Sequence, residues 1–151
     1  MLKFIRKSAL LCIIPIAFTL TAVSAQADSD SSLYSRLGGF DAISAVVDDV
    51  VLQIAADEKL GRFWAHRGED GITREKQLIV DFIVAKAGGP LYYTGREMKL
   101  SHKGMRVSQQ DWDTLIKALK NTLNKFGVPA RESQEVLEFF DSTRADIVEK
   151  P

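Results

Sequence analysis

The chain has a single cysteine, Cys12, and only two histidines among its 151 residues. One thiol excludes an internal disulfide, and Cys12 lies in an apolar run near the N-terminus, so the folded part is expected to have no thiolate ligand. Basic and acidic residues balance at 20 each, and no basic run of the kind that nucleic-acid binding needs is present. Strand-like alternation and internal repeats are also missing. With 46% hydrophobic and 26% charged residues, the composition predicts one α-helical globular domain and no nucleic-acid partner.

The first 27 residues differ from the rest and predict a secretory signal peptide. Three basic residues precede an apolar run over residues 9–23, and the Ala-Gln-Ala triplet at 25–27 fits a small-residue cleavage site. The run contains Pro15 and is short for a bilayer span, so a retained anchor is the second choice. We expect cleavage after Ala27 and a periplasmic or secreted protein with no stable membrane insertion. Its formal charge would fall from 0 to about −3.

The remainder divides into a flexible polar leader at 28–32 and a helical domain at 33–151. Ile43 begins a set of apolar residues that recur with the 3.6-residue period of one helix face and end at Ala55. The other predicted elements are a helical turn at 33–37, a polar loop at 66–71, a helix at 73–86, a helix capped by Ser108 with Asp111 in its first turn, and a last helix near Pro129. The predicted core face of the helix after Ser108 consists of Trp112, Leu115, Ile116, Leu119, Leu123 and Phe126.

His102 lies on a short segment bounded by glycines. Thr94 and Gly95 allow a new helix to start before it, and its expected apolar neighbours are Met98, Leu100 and Met105. An imidazole in apolar surroundings is either a core histidine bonded to a carbonyl or a ligand to a metal or haem iron. The residues of this segment alone leave both interpretations open.

Four motifs occur in a fixed order along the chain: LGG, AGGP, YTGR and SHKG. Their order and spacing from Ser32 to about Val148 resemble those of the group I truncated haemoglobins. The resemblance implies an all-α, two-over-two globin fold, haem b with its iron as the cofactor, and His102 as the proximal ligand. The other ring nitrogen of His102 would then need an acceptor, for which we expect a backbone carbonyl one turn earlier.

The resemblance also implies a set of side chains around the haem. The candidate wall residues are Phe63, Trp64, Ile79, Phe82, Ile83, Met98, Val107 and Trp112. Arg96 and Lys99 are candidates to meet the haem propionates at the pocket edge, with Thr94 as an alternative donor. The plain alternatives are that the apolar residues form ordinary core and that the basic residues form a solvated helix face.

The distal side departs from the pattern of the family. Most members have Phe-Tyr after the acidic pair of the second helix, and the tyrosine donates a hydrogen bond to bound O₂. Here two valines follow Asp48 and Asp49, so Val51 takes the place of the tyrosine. Counting back from AGGP puts Glu75 and Ile79 at the two usual distal positions. Ile79 cannot donate, and Glu75 is costly to bury charged, so we expect it to point to solvent or to be protonated.

Other side chains enter the distal side if the register differs. A helix turns by about 100° per residue, so an error of one residue changes which side chain faces the iron, and a slip in register could bring in Lys76 or Gln77. His66, in the predicted polar loop, would make the iron six-coordinate if the loop folded inward. A surface position for His66 is the alternative.

Together these features predict a haem protein that reversibly binds a diatomic gas, O₂, NO or CO. A hydrogen bond to bound O₂ contributes about 1–3 kcal/mol, so its loss weakens O₂ binding roughly ten- to hundredfold. The sequence therefore argues against a tyrosine-assisted O₂ store and a fast NO dioxygenase, and favours a binding protein, with an unidentified reductase as the only further partner. The alternatives are a haem-dependent redox enzyme acting on NO or peroxide, and a globin-fold scaffold that has lost its haem.

Overall fold

The computed structural model describes residues 31–149, so the predicted signal peptide and residues 28–30 of the predicted leader lie outside the described part. Within it the chain is helical and has no strand. The helices are α1 (Leu33–Arg36), α2 (Gly39–Ala56), α3 (Glu69–Lys86), α4 (Met98–His102), α5 (Gln109–Lys125) and α6 (Ala130–Ile147), with a 3-10 helix at Leu60–Phe63 between α2 and α3. Among residues 31–149, none of these helices is long and apolar enough to cross a bilayer.

Helix α2 is the centre of the fold because it packs against both α3 and α5. One buried cluster lies between α2 and α3 and consists of Ile43, Val47, Val51, Val80, Ile83 and Val84. The other joins α2 to α5 and α6 and consists of Val50, Ile54, Leu60, Ala118, Leu119, Leu123 and Val136. The β-branched residues of α2 are poor helix formers, so burial has to stabilise this helix. Each fully buried side chain of this size contributes roughly 1.5–3 kcal/mol.

A polar contact between α2 and α5 fixes how α2 is rotated about its axis. Asp49 accepts hydrogen bonds from Thr122, at 2.8 Å, and from Gln53, also at 2.8 Å, and it forms an ion pair with Lys125. These bonds lower the pKa of Asp49, with Lys125 making the largest contribution. Because Asp49 is held on the α5 side, Val51, two positions later, faces α3.

The start of α5 agrees with the sequence prediction. Ser108 accepts a hydrogen bond from the backbone of Asp111, and the Asp111 carboxylate accepts from the Ser108 amide at 2.8 Å, which completes a capping box. Asp111 also binds Arg62 through two nitrogens, at 3.0 and 2.6 Å. This pair connects the 3-10 helix to the start of α5, and the guanidinium makes the largest contribution to lowering the pKa of Asp111.

Several predicted boundaries and faces need correction. Helix α3 begins at Glu69, not Thr73, because Gly68 ends the loop and two acidic residues favour a first turn at that point. Ser32 caps α1, so this part of the predicted leader belongs to the helical unit. Phe126, predicted in the core, is 45% exposed, since α5 already ends at Lys125.

Candidate functional site

Helix α4, which ends at His102, is only five residues long. A helix this short is not stable by itself in water, so contacts at its ends and sides must hold it. The Glu97 carboxylate accepts hydrogen bonds from the amides of Lys99 and Leu100, both at 3.1 Å. The main packing partner of α4 is α6. The helix therefore starts at Met98, not near Thr94 as the sequence predicts, because Glu97 supplies its cap.

The imidazole of His102 has a defined orientation and tautomer. Its Nδ1 lies 2.9 Å from the carbonyl oxygen of Met98 and 3.1 Å from Oγ of Ser101. A carbonyl oxygen only accepts, so Nδ1 carries the proton and donates it. In the neutral imidazole the lone pair is then on Nε2, which has no hydrogen-bond partner among residues 31–149. The predicted acceptor, a backbone carbonyl one turn earlier, is confirmed.

Aromatic rings connect the segment before α4 to α3 and α6. The Phe82 ring on α3 lies 5.1 Å from that of Tyr93 and 5.4 Å from that of Phe139, measured between centroids. Tyr93 donates to the carbonyl oxygen of Arg96 at 2.9 Å, and a Cβ on Gly95 would lie 2.2 Å from its hydroxyl oxygen. A side chain at position 95 would therefore force the Tyr93 ring out of this position. Burial raises the pKa of Tyr93, and the charge of Glu75 raises it further.

The predicted distal residues come together on the face between α2 and α3. Val51 is 3% exposed and Ile83 is 8% exposed. Ile79 and Trp64 pack against the same cluster. Phe63 instead packs against the cluster of α2, α5 and α6, and a guanidinium lies 4.1 Å from the centre of its ring. The distal face is therefore apolar, and neither Val51 nor Ile79 has a side-chain hydrogen-bond donor.

Glu75, the polar residue predicted on the distal side, is held by an ion pair. Its carboxylate binds Arg67, and both side chains are a little over one third exposed. The Arg67 guanidinium also donates to the carbonyl oxygen of Phe63 at 3.2 Å and lies 6.0 Å from the centre of the Trp64 ring. Glu75 therefore reaches the surface as a charged partner, which fits the expectation that it points to solvent.

The remaining candidates divide by exposure. Val107 and Trp112 are 6% and 3% exposed, so both belong to the packed interior. Thr94, Arg96 and Lys99 are exposed, and neither basic side chain forms an ion pair within the described part of the chain. Leu100, predicted as an apolar neighbour of His102, is 56% exposed and points away from the core.

Three contributors to this region do not emerge from sequence reasoning. Tyr93 was treated only as part of a motif, although its position two residues before a glycine could have suggested a turned-back ring. Arg67 lies in a polar loop where nothing indicates that its partner is Glu75. Glu149 accepts hydrogen bonds from residues that lie more than 40 positions earlier, and no local pattern reveals such a contact.

Comparison with known families gives a match over almost the whole described part. The family model for bacterial-like globins matches residues 32–149. A group 1 truncated haemoglobin of Tetrahymena pyriformis is 31% identical over 119 residues, which cover 79% of this chain and 96% of that protein. The group 1 truncated haemoglobin GlbN of Mycolicibacterium paratuberculosis is 33% identical over 107 residues, which cover 71% of this chain and 76% of that protein.

Solved structures give the same result for the fold. The crystal structure of the Tetrahymena pyriformis truncated haemoglobin in its Fe(III) form superposes with a TM-score of 0.72 at 29% identity, covering 78% of this chain and 98% of that chain. A group II truncated haemoglobin from Bacillus anthracis superposes with a TM-score of 0.70 at 18% identity, covering 80% and 93% of the two chains. The second likeness concerns the fold alone.

Proposed function

Because this chain belongs to the bacterial-like globin family and, within it, to the group 1 truncated haemoglobins, we propose that it holds haem iron through His102 and binds a diatomic gas on the opposite side. Haem is the cofactor of this family. Haem, when bound, would supply an iron to which His102 and a small gas could bind. The fold and the cofactor are the premise, and the ligand assignment and the choice of gas are the proposal.

The observation that carries the ligand assignment is the hydrogen bond from Nδ1 of His102 to the Met98 carbonyl, at 2.9 Å. Histidines that bind metals donate their other ring N–H to such an acceptor, which fixes the tautomer and makes the ligating nitrogen more basic. Half-buried apolar side chains on α3 and α4, including Phe82 and Met98, provide the kind of surface that a flat apolar group covers. The residues present therefore fit haem.

On the distal side, we propose that the side chains of this chain exclude water but donate no hydrogen bond to the bound gas. Val51 and Ile79 keep water from the gas side and offer no proton to a bound molecule. A gas that becomes partly negative on binding, as O₂ does, gains nothing from them, whereas CO and NO, with less charge separation, lose less. We therefore infer weak O₂ binding and comparatively unaffected CO and NO binding.

Arg96 and Lys99 would meet the haem propionates, with Thr94 as a neutral donor. Both basic side chains are exposed and form no ion pair within residues 31–149, so nothing in the described part of the chain competes for their charge. Charge-assisted bonds of this kind stabilise a bound carboxylate at a pocket edge.

Absorbance spectra of the haem-loaded protein test the ligand assignment, with His102→Ala as the variant. We expect the substitution to abolish the spectrum of histidine-ligated ferrous haem. His66→Ala is the matched control because His66 is the only other histidine and is exposed, and its spectrum should equal that of the parent. A His102→Ala protein with an unchanged spectrum would refute the assignment.

We further propose that the protein acts in the periplasm or outside the cell. The support is the basic start, the apolar run over 9–23 and the small-residue triplet at 25–27. N-terminal sequencing of the protein from a cell fraction tests this, and a first residue of Asp28 is the expected result. Recovery in the cytoplasm with Met1 retained would contradict it.

A further inference from the structure

The loop that follows His102 has an unusual backbone conformation. Gly104 has a φ of 85° and Arg106 a φ of 56°, and Arg106 is the only non-glycine residue of the described part with a positive φ. A side chain in this region of φ is disfavoured, so neighbouring contacts must determine the conformation. The amide of Met105 donates to the carbonyl oxygen of His102 at 3.0 Å, so the loop turns back directly onto the end of α4.

The contact that holds this loop comes from the far end of the chain. The two carboxylate oxygens of Glu149 accept hydrogen bonds from the amides of Gly104 and Arg106, each at 2.6 Å. The amide of Glu149 donates to the carbonyl oxygen of Val107 at 2.9 Å. The two amides belong to one turn and converge on the two oxygens of one carboxylate, an arrangement related to the anion-binding nests that backbone N–H groups form. We call this set of three hydrogen bonds the Glu149 clamp.

The two amide bonds also lower the pKa of Glu149, and the amide of Gly104 makes the larger contribution. The carboxylate therefore remains charged, and its bonds remain strong, under ordinary conditions.

The clamp acts on a helix that cannot hold its own position. Helix α4 has five residues, its start is capped by the Glu97 carboxylate, and its side packs on α6. Glu149 follows the end of α6 at Ile147. The helix that α4 packs against therefore also delivers the side chain that fixes the loop at the end of α4. Start, side and end of the histidine helix are each held by a different contact.

We propose that Glu149 is a positioning residue for His102: by fixing the loop at residues 104–107, it sets the position from which the imidazole binds haem iron. This inference rests on the proposed role of His102 as the iron ligand. The Glu149 carboxylate bonds to the backbone of the loop and not to the imidazole, although its charge also interacts with the ring of His102. Its effect passes through the backbone of the loop, and it concerns the strength and orientation of the iron–histidine bond.

Three measurements on Glu149→Ala test the proposal. Resonance Raman of the ferrous protein should show the iron–histidine stretching band shifted and broadened. Haem transfer to excess apomyoglobin should be about tenfold faster, the lower end of the range for losing a group that supports a metal ligand. Hydrogen exchange at the amides of Gly104 and Arg106 should become faster, with or without haem.

Two further variants separate positioning from general stability. In Glu149→Gln one amide oxygen remains as an acceptor, so the iron–histidine band and the haem transfer rate should lie between those of the parent and Glu149→Ala. Glu138→Ala is the matched control, because Glu138 is an exposed glutamate on α6 whose hydrogen bond is to Gln134 on the same helix. It should leave all three measurements unchanged.

The proposal is overturned if Glu149→Ala lowers the melting temperature while the iron–histidine band and the haem transfer rate stay at their parent values. That result would leave Glu149 as a structural contact only. If His102 is not the iron ligand, the result is different: the absorbance spectrum of His102→Ala, in which Glu149 is intact, then equals that of the parent. Faster amide exchange in Glu149→Ala would still report the clamp in that case.

Discussion

The two sides of the site are built from different kinds of interaction. On the proposed proximal side, directional hydrogen bonds fix α4: Glu97 accepts at its start, Nδ1 of His102 donates to Met98 within it, and Glu149 accepts beyond its end. On the proposed distal side, Val51 and Ile79 contribute only apolar contact. Hydrogen bonds are directional and fix an orientation, whereas apolar contacts are non-directional and only exclude water from a space.

This difference assigns different tasks to the two sides. Under the proposed function, the α4 side would hold one nitrogen in one direction, as a bond to iron requires. The side of Val51 and Ile79 would discriminate between gases because it lacks a hydrogen-bond donor. The group 1 relatives in the comparison share the fold, so a gas preference particular to this chain would depend on a few side chains rather than on its architecture.

Removing the ion pair between Arg62 and Asp111, which connects the 3-10 helix to the start of α5, should have the largest effect on stability. Arg62 precedes Phe63 and Trp64, and Asp111 lies in the first turn of α5, just after the loop that Glu149 holds. Asp111→Ala removes the bidentate ion pair and half of the capping box, so we expect the free energy of unfolding to fall by roughly 2–3 kcal/mol. Urea unfolding measures this. Asp113→Ala, an exposed position on the same helix, is the control, and an equal loss there would contradict the assignment.

The stability that the Arg62–Asp111 contact contributes should decrease as the pH is lowered. The pKa of Asp111 is lower in the folded state than in the unfolded state, so its contribution to stability is present above the unfolded pKa, about 3.9, and disappears as the pH falls toward the folded value. Asp111→Asn should therefore be less stable than the parent at neutral pH, and the difference should shrink below about pH 4. A difference that grows on acidification would oppose this sign.

A tyrosine at position 51 should make the distal side resemble that of most relatives. In Val51→Tyr a phenol can donate to bound O₂, so we expect O₂ dissociation to slow roughly ten- to hundredfold, equivalent to one hydrogen bond of about 1–3 kcal/mol. Val51→Phe adds almost the same volume without the donor and is the matched control. CO dissociation should change little. Equal O₂ rates in the two variants would show that volume, not donation, limits O₂ binding.

The smallest effect should come from the ion pair between Arg67 and Glu75 at the distal edge. Both side chains are partly exposed, and such pairs contribute about 0–1 kcal/mol. Arg67→Gln should therefore raise the rate of CO association by about two- to threefold, and high salt should reduce the difference. Arg74→Gln, on the same face of the chain but without an ion pair in the described part, should leave the rate unchanged. A loss of CO binding in Arg67→Gln would contradict this prediction, because it would show that Arg67 is needed for binding itself.

Local patterns account for the parts of the fold that the sequence predicted correctly. The period of α2, the Ser108–Asp111 capping box and the carbonyl partner of His102 all involve residues within one or a few turns. One local signal is nevertheless too weak to be recognised. Glu97 is not among the residue types that usually cap helices, so the sequence predicts a start of α4 that is too early.

The candidate site was predictable to a lesser degree. The resemblance to the family puts Val51 and Ile79 on one side of the expected haem, and in the structure both contact one cluster that also contains Ile83. Periodicity does not separate Phe63 from Trp64, because neighbouring residues on a connector share no period. Glu149 could not be found at all, since its partners lie 43 and 45 positions away and the pairing depends on how α6 docks.

The distance along the chain between the histidine helix and its last contact has a consequence for biosynthesis. A polypeptide emerges from the ribosome or a translocation channel N-terminus first, and its early segments begin to fold before its end is available. Helices α2 and α3 can pair as soon as both have emerged, but the turn after residue 102 has to wait for residue 149. The α2–α3 side, which is proposed to face the gas, is therefore assembled early, and the proposed iron-binding side becomes competent only when synthesis is nearly finished.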